Sequence, residues 1–473
     1  MEKEKRQLPV VENVEITDAG AEGKAVAKIN DKIVFIPYGA PGDVVDIQIF
    51  RKKKNYLEAK IINFHKYSEL RTEPICEHYG VCGGCKWQHL SYETQLSIKQ
   101  NQVENNLKRI GKIDLPPISP IIASEKTTCY RNKLEYTFSC HRWLTNDEIK
   151  NTEIENQQAL GFHLPGRFDK ILDINFCHLQ PEPSNAIRLA AKKIAVENNL
   201  QFFNSKTHQG FLRNIIIRNT SSGEWMVIVI FNENNENKIK DFLEKIKIQF
   251  SKITSLMYVV NTKFNDDLSD QEAICYYRKN HLTEKLENLI FKIGPLSFFQ
   301  TNTDQALKLY QTVRDFCMLT GKETVYDLYT GTGTIANFVA HQAEKVVGIE
   351  YVEVSISNAK ENSILNNINN TSFFAGDIAK TLNDEFIFAN GKPDVVITDP
   401  PRSGMHPDVI AQLIKTAPSR IVYVSCNPAT QARDIEMMKE FYIVSKVQPV
   451  DMFPHTHHVE NVVLLEKRMN KNI

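Results

Sequence analysis

A cysteine lies where a thiol can do chemistry in the segment Ser425-Cys426-Asn427-Pro428. The apolar run 421–424 before it is typical of a buried strand, and residues 429–434 after it can begin a helix. Because a helix N-terminus favours an anion, we expect the helix to lower the pKa of the Cys426 thiol and make it a nucleophile. A single cysteine can equally be a small core residue, and this alternative stays open.

A carboxylate that could act as a general base follows at Glu460. It ends the motif Phe453-Pro-His-Thr-His-His-Val-Glu460 and stands just before an apolar strand, which makes it the base candidate. His455, His457 and His458 in the same motif could instead belong to a metal site or to a surface cluster of histidines.

The segment Asp327-Leu-Tyr-Thr-Gly-Thr-Gly333 is typical of a strand-to-helix turn that binds an adenosine ligand. Glu350 ends the next strand, where a carboxylate can accept both ribose hydroxyls. An acid at the position of Asp327 is a feature that methyltransferases share, and the later Asp399-Pro-Pro-Arg402 resembles their Asp/Asn-Pro-Pro motif, so the resemblance favours a methyl donor. The spacing Gly331-x-Gly333-x-x-Ala336 also fits a nicotinamide dinucleotide site, and a turn without any ligand is a further alternative.

Two aromatic residues and an amide precede this turn in Phe298-Phe299-Gln300. The rings could stack on an adenine or on a substrate base, or they could pack in the core. Gln300 could form a hydrogen bond to the cofactor.

Three cysteines lie within ten residues in Cys76-x5-Cys82-Gly-Gly-Cys85. The two glycines allow a tight loop, and Cys177 in Phe176-Cys177-His178 is the candidate for a fourth ligand. Zinc and an iron–sulfur cluster both accept four cysteines, and the spacing does not choose between them. The chain has nine cysteines, an odd number that argues against a disulfide framework.

The elements that must position these residues fall into three predicted domains in a chain of 473 residues. Short strands and glycine turns, with a hairpin at Asn30-Asp31, predict a small OB-type β-barrel over 1–66. Mixed strands and helices predict an α+β central domain over 67–285. Repeated strand–turn–helix units with β-branched strands predict a doubly wound, mostly parallel α/β domain over 286–473.

The charge of the chain is balanced, with a formal net charge of zero. A nucleic-acid site would therefore have to be a local patch. The candidates are the run 51–54 (Arg-Lys-Lys-Lys) and the group Arg131, Lys133, Arg213 and Arg218, although either could be an ordinary solvated face. No apolar run is long enough for a membrane helix, and the N-terminus lacks a secretory signal, so we expect a cytoplasmic protein.

Taken together, these motifs resemble those of the bacterial 23S ribosomal RNA uracil-5-methyltransferases that carry an N-terminal TRAM domain. The resemblance covers nearly the whole chain. It is carried by the barrel with Gly39-Ala-Pro-Gly-Asp43, the four cysteines, Asp327-Leu-Tyr-Thr-Gly331, Asp399-Pro-Pro-Arg402, Ser425-Cys-Asn-Pro-Ala-Thr430 and Phe453-Pro-His-Thr-His-His-Val-Glu460.

The resemblance implies a Rossmann-like methyltransferase domain that uses S-adenosyl-L-methionine. It implies Cys426 as nucleophile, Glu460 as base, and a [4Fe–4S] cluster rather than zinc. The implied ligands and cofactor contacts are Cys76, Cys82, Cys85 and Cys177 for the cluster, and Gln300, Tyr329, Glu350, Asp399 and, on weaker matches, Thr334 and Asp377 for the cofactor. The loop Thr330-Gly-Thr-Gly-Thr334 departs from the family pattern, which puts the Thr334 contact in doubt.

The implied activity is methylation of C5 of a flipped-out uridine in 23S ribosomal RNA, as part of rRNA processing. The barrel and the central domain would bind the RNA, and we expect a monomer with no obligate protein partner and no membrane attachment. A transfer-RNA 5-methyluridine methyltransferase and a non-catalytic RNA-binding assembly factor are the alternatives. Transfer-RNA relatives usually lack the barrel and the cluster, which favours ribosomal RNA.

Overall fold

The N-terminal part of the chain is a six-stranded barrel-like sheet. The computed structural model describes residues 9–144, 148–149 and 157–468. The strands pair in the order β1-β5-β6-β4-β3-β2. Alternate side chains of β5 point into an apolar core, as the period of a strand requires. The strands are β1 Val10–Glu15, β2 Asp18–Ala19, β3 Ala25–Ile29, β4 Lys32–Ile36, β5 Val44–Lys52 and β6 Tyr56–Lys66.

The predicted hairpin turn at Asn30-Asp31 is confirmed. Both residues have positive φ, 45° and 62°, and β3 pairs antiparallel with β4 on either side of them. Two left-handed residues give the turn the twist that a two-residue hairpin needs, and Asn and Asp tolerate this conformation.

Helix α1, Tyr92–Arg109, follows the cysteine-rich loop. It begins where the Ser91 side chain accepts a hydrogen bond from the amide of Thr94, a normal N-cap. Val103 and Leu107 on its buried face belong to the same apolar cluster as the C-terminal sheet. The helix therefore packs on the C-terminal domain, although the sequence grouped it with the central domain.

In its described residues, the central domain has a seven-stranded sheet in the order β13-β12-β11-β10-β7-β8-β9, together with helices α2 and α3. Its inner strands β10 and β11 are almost wholly buried, and their apolar residues form the centre of this domain's core. The elements are β7 Lys133–Ser139, β8 Ala159–Leu164, β9 Arg167–Asp173, α2 Ser184–Glu197, β10 Leu212–Asn219, β11 Trp225–Phe231, α3 Glu236–Gln249, β12 Ser255–Val260 and β13 Ile274–Arg278.

A two-stranded hairpin joins the central and C-terminal domains. Strands β14 Leu282–Leu286 and β15 Leu289–Ile293 pair with each other across the predicted boundary at residue 285. Their buried residues pack into the core of the C-terminal domain.

The C-terminal domain has the doubly wound architecture that the sequence predicts. Five parallel strands, β18-β17-β16-β19-β20, continue into the antiparallel strands β22 and β21. Its elements are α4 Thr303–Cys317, β16 Thr324–Leu328, α5 Thr334–Ala340, β17 Lys345–Glu350, α6 Glu353–Leu365, β18 Thr371–Ala375, α7 Ile378–Thr381, α8 Asp384–Asn390, β19 Val395–Thr398, α9 Pro407–Thr416, β20 Arg420–Ser425, α10 Pro428–Met438, β21 Tyr442–Val450 and β22 Glu460–Lys467.

Among the described residues, no helix combines the length and the apolar character that crossing a membrane requires.

Candidate active site

One large cavity, of about 1370 Å³, opens at the carboxyl ends of β16, β17, β19 and β20. This edge is where ligands of doubly wound sheets bind. Predicted site residues from all parts of the chain meet in its wall: Cys76, Cys82, Cys85, Cys177, Gln300, Tyr329, Glu350, Asp399, Cys426 and Glu460.

The glycine turn after β16 is held from both sides by carboxylates. Asp327 is buried and accepts hydrogen bonds from the Thr330 hydroxyl at 2.5 Å and from the Ala336 amide at 3.1 Å. Glu350 accepts one from the amide of Gly331 at 3.2 Å. Gly331 lies in the left-handed region at a φ of 55°, where a glycine carries no steric penalty. The turn and the Glu350 carboxylate thus form one preorganised wall of the cavity.

Cys426 sits between β20 and α10, as predicted, but the expected direction of its pKa is wrong. Burial and the charges of Glu460 and Asp399 raise the pKa of the thiol to about 11. Arg402 opposes this by its positive charge and by a hydrogen bond. At the same helix N-terminus the Asn427 side chain accepts the amide hydrogen of Ala429 at 3.2 Å and caps α10.

Two carboxyl groups, one buried and one partly buried, face Cys426. Glu460 begins β22 and is 6% exposed; burial, with a smaller contribution from Asp399, raises its pKa to about 8. Asp399 follows β19, and burial raises its pKa to about 7. Near neutral pH both groups can exchange protons, which is the property that a general base in this position needs.

Arg402 and His458 complete the site; sequence reasoning assigned Arg402 no role of its own and offered His458 only as a metal ligand or a member of a surface cluster. Arg402 donates a hydrogen bond to Nδ1 of His458. Burial and the neighbouring His457 and Arg402 lower the pKa of His458 to about 3, so its ring is neutral and can accept. Their positions in the Asp399 and Glu460 motifs are the only signal in the sequence that could have found them.

The loop before Glu460 is fixed by the cysteine-rich loop and by α1. The amides of Lys86 and Trp87 both donate to the carbonyl of His455, at 2.8 and 3.0 Å. The Gln95 side chain accepts from the amide of His455 at 2.8 Å. Lys99, fully buried, donates to Asp451 Oδ1 at 2.6 Å. The predicted cluster region and the predicted base therefore share a single hydrogen-bonded framework.

The structure does not support a metal site at His455, His457 and His458. In the part of the chain that the structure describes, no group of three or more His, Cys, Asp or Glu side chains could hold a metal ion. His455 and His458 instead contact Gln95 and Arg402.

Not all of the predicted contact residues line the cavity. Phe299 is buried in the core, whereas Phe298 is 70% exposed and lines the cavity. The hydroxyl of Thr334 forms a hydrogen bond with that of Thr332, and Thr334 is not among the residues that line the cavity. Asp377 caps α7 through the amide of Ala379, and its charge helps to raise the pKa of Tyr329. Thr334 and Asp377 thus do not line the cavity themselves.

The four cysteines of the predicted cluster form the far end of the cavity. Hydrogen-bond donors point at each sulfur: the amides of His78 and Tyr79 at Cys76, of Gly84 at Cys82, and of Leu179 at Cys177, and the Gln88 side chain at Cys85. Such donors stabilise thiolate ligands. The donors suit sulfur ligands, but among the described residues no group of three or more His, Cys, Asp or Glu side chains is placed to hold a metal ion.

Two of the predicted RNA-binding arginines are structural. Arg213 donates to three backbone carbonyls and to Asp266, and Arg218 donates to the carbonyls of Gly294, Pro295 and Ser297. Both are buried, so neither can meet a phosphate. Arg131 lines the cavity, and the run 51–54 is exposed at the tip of the β5–β6 hairpin.

The doubly wound sheet, its glycine turn and the acidic groups at its carboxyl edge define a methyltransferase of the α/β class. The profile of the tRNA (Uracil-5-)-methyltransferase family matches residues 210–468, and that of the TRAM domain matches residues 10–62. The chain belongs to the tRNA (uracil-5-)-methyltransferase family and is an RNA (uracil-5-)-methyltransferase.

Relatives match the chain over nearly its whole length. An uncharacterized RNA methyltransferase of Bacteroides thetaiotaomicron is 56% identical over 95% of this chain and 100% of its own. One from Porphyromonas gingivalis is 50% identical over 96% and 99%. The crystal structure of Pyrococcus abyssi tRNA (uracil-54, C5)-methyltransferase with S-adenosyl-L-homocysteine has a TM-score of 0.74 and 27% identity, and the match covers 96% of this chain and 100% of that one. A match of this extent means that the barrel alone does not separate enzymes for ribosomal and transfer RNA.

Proposed function

We propose that the protein transfers a methyl group from S-adenosyl-L-methionine to C5 of a specific uridine in 23S ribosomal RNA. The observation that carries the proposal is the meeting of Cys426, Asp399 and Glu460 beside the Glu350 turn in one cavity. A nucleophile, a base and an adenosine-type site on one cavity wall are what C5 methylation requires.

The reaction begins at Cys426. Its thiolate, favoured by Arg402, adds to C6 of the uracil, and the electrons of the C5–C6 double bond move onto O4 as an enolate. C5, now nucleophilic, would bond to the methyl carbon of the donor as the bond from that carbon to sulfur breaks, leaving the donor as a neutral thioether. Glu460 then removes the C5 proton, the C5–C6 double bond reforms, and the bond from sulfur to C6 breaks.

The cofactor supplies an electrophilic methyl group on a sulfonium. Glu350 would accept the ribose hydroxyls, and Gln300, Tyr329 and Asp399 would line the rest of its site. The target base cannot react while stacked, so the uridine must be flipped out, at a cost of about a few kcal/mol.

The nucleophile is tested with RNA that contains 5-fluorouridine. Fluorine at C5 cannot leave as a proton, so the adduct should be trapped as a stable protein–RNA complex. Mass spectrometry should place the linkage on Cys426, and Cys426→Ala should form no complex. A linkage at another residue, or turnover that persists in Cys426→Ser, would contradict the proposal.

The choice of 23S RNA is supported by the resemblance in the cysteine motif and in the Cys426 and Glu460 segments. Transfer RNA is a second candidate, which the match to the Pyrococcus abyssi tRNA (uracil-54, C5)-methyltransferase favours. The two are separated by incubating the protein with the donor and either purified 23S RNA or unmodified transfer RNA, then mapping 5-methyluridine. Methylation of transfer RNA alone would assign the second function.

We further propose that Cys76, Cys82, Cys85 and Cys177 hold a [4Fe–4S] cluster. Four cysteine sulfurs in one cavity wall, each with a hydrogen-bond donor, support this, because such donors stabilise thiolate ligands once the cluster is bound. Its role would be structural, tying the loop 76–85 to Cys177. Anaerobically purified protein should show iron, sulfide and visible absorbance, all lost in Cys82→Ser; zinc in place of iron would reject the cluster.

A further inference from the structure

An aromatic cleft on the barrel has no part in the active site. It has a volume of about 420 Å³ and is lined by Pro37, Tyr38, Lys60, Ile61, Ile62 and Phe64. Ile62 is 49% exposed and Lys60 is exposed as well. We call it the barrel cleft. Aromatic and aliphatic walls with one cation at the rim match a nucleobase with its phosphate.

A stacked aromatic pair extends the barrel cleft. The ring of Tyr67 lies 4.6 Å from that of Phe64 at an interplanar angle of 17°, and Tyr67 is 64% exposed. The Arg71 guanidinium lies 5.0 Å from the Phe64 ring centre. An exposed ring already stacked on a fixed one can add a base to the stack at little entropic cost.

The cleft is rigid because a buried carboxylate holds Arg71. Asp43, fully buried, accepts two hydrogen bonds from Arg71, at 2.8 and 2.7 Å, and further ones from the amides of Ala40 and Ser68. Arg71 also donates to the carbonyl of Tyr38 at 2.9 Å. One guanidinium therefore positions both aromatic walls, Tyr38 and Phe64.

The barrel cleft adjoins the catalytic cavity. The ring of Tyr38 packs edge-on against Tyr79 at 5.6 Å, and Tyr79 lines the cavity beside the cysteine loop. From the cleft, β6 runs to the basic hairpin tip at 51–54. A single RNA strand can therefore pass from the basic tip, over the cleft and into the cavity.

We propose that the barrel cleft, with Tyr67, is a second base-binding site that takes an unpaired nucleobase of the same RNA whose uridine enters the catalytic cavity. The inference rests on the proposed function, because it concerns the same RNA substrate. The site reads no particular base: every base has a face to stack, and the contacts are aromatic and ionic.

The test uses the full chain and a labelled single-stranded RNA of about 20 nucleotides, longer than the roughly 4 to 16 that one OB barrel covers. Tyr67→Ala should raise the Kd by about 5- to 150-fold, the effect of one lost stacking contact. Tyr67→Phe keeps the ring and should bind as the parent does. Lys60→Gln should reduce the slope of log Kd against log salt by about 0.7. Phe388→Ala, which removes another exposed ring, should change nothing.

Photocrosslinking locates the base directly. With 4-thiouridine in the RNA, the crosslinked peptides should contain residues 60–67. An unchanged Kd in Tyr67→Ala, crosslinks confined to other segments, or a dimer that Tyr67→Ala dissolves would overturn the site. If the parent still methylates uridine in that case, only the proposal of a second base-binding site is rejected. If the parent neither binds RNA nor methylates it, both proposals fail.

Discussion

Arg402 donates a hydrogen bond to Nδ1 of His458 while its charge favours the thiolate of Cys426. The same Nη2 atom of Arg402 also lies 3.2 Å from Nε2 of His458, so the guanidinium stays against the ring. The carbonyl of Arg402 accepts from Asn427 at 3.0 Å, so the backbone is fixed as well. Because burial and the two carboxylates all raise the pKa of Cys426, the orientation of this one cation matters for the nucleophile.

Replacement of His458 should therefore impair the thiol. His458→Phe removes the acceptor, so Arg402 loses its orientation and the pKa of Cys426 rises further. Each unit of that rise removes about 1.4 kcal/mol of thiolate stabilisation, which lowers reactivity about tenfold. Iodoacetamide alkylation of Cys426 across pH measures the shift without RNA. His458→Asn restores an acceptor oxygen and should recover most of the reactivity; identical alkylation in the parent and in His458→Phe would refute the relation.

Glu460→Gln should stop the reaction after methyl transfer. The amide is nearly isosteric but cannot take the C5 proton, so methylated RNA should stay bonded to Cys426. Turnover should fall by about 10²- to 10⁴-fold, the usual contribution of a general base. Denaturing gels should show a protein–RNA band that contains the transferred methyl group. The double variant with Cys426→Ala should lack the band, and normal product release by Glu460→Gln would contradict the assignment.

The raised pKa of Glu460 predicts the pH dependence of turnover. Burial keeps the carboxyl protonated below about pH 8, and only the ionised form can accept a proton. Adduct breakdown in rapid-quench experiments should therefore accelerate as the pH rises and level off above about 8. A rate that is constant across this range would show that another group removes the C5 proton.

Features that depend on neighbouring residues in the chain could be predicted from the sequence. Asn30-Asp31, the strands around Asp327 and the placement of Cys426 after β20 follow from turn chemistry and periodicity. The pKa direction of Cys426 could not be predicted, because it depends first on burial in the folded cavity and then on carboxylates that β22 and β19 bring from other segments. From the sequence, Arg213 is a candidate for an exposed basic patch. In the structure its guanidinium donates to three backbone carbonyls instead. Such contacts are tertiary and leave no periodic signal in the chain.

Asp327 should make stability depend on pH. Burial raises its pKa from 3.8 to about 7, so the folded state keeps a proton that the unfolded state loses between these values. The contribution of Asp327 is full below pH 3.8 and declines by about 1.4 kcal/mol per pH unit until about 7. Denaturant unfolding should thus show the parent losing stability relative to Asp327→Asn, whose amide does not titrate, as the pH rises through this window. Parallel stability curves would be inconsistent with a protonated Asp327.

The buried pair of Lys99 and Asp451 should hold the base loop in place. Both side chains are fully buried, and Lys99 also donates to the carbonyl of Phe453 at 3.1 Å. Lys99→Met leaves Asp451 without its cation, which costs about 3–5 kcal/mol when the remaining charge stays buried. Replacing both residues by apolar ones should recover much of that loss in denaturant unfolding. Because the same loop carries His458 and leads into Glu460, the double variant should still methylate more slowly than the parent. Recovery of both stability and rate would show that the pair only fills space, and no stability loss in Lys99→Met would show that Asp451 finds another partner.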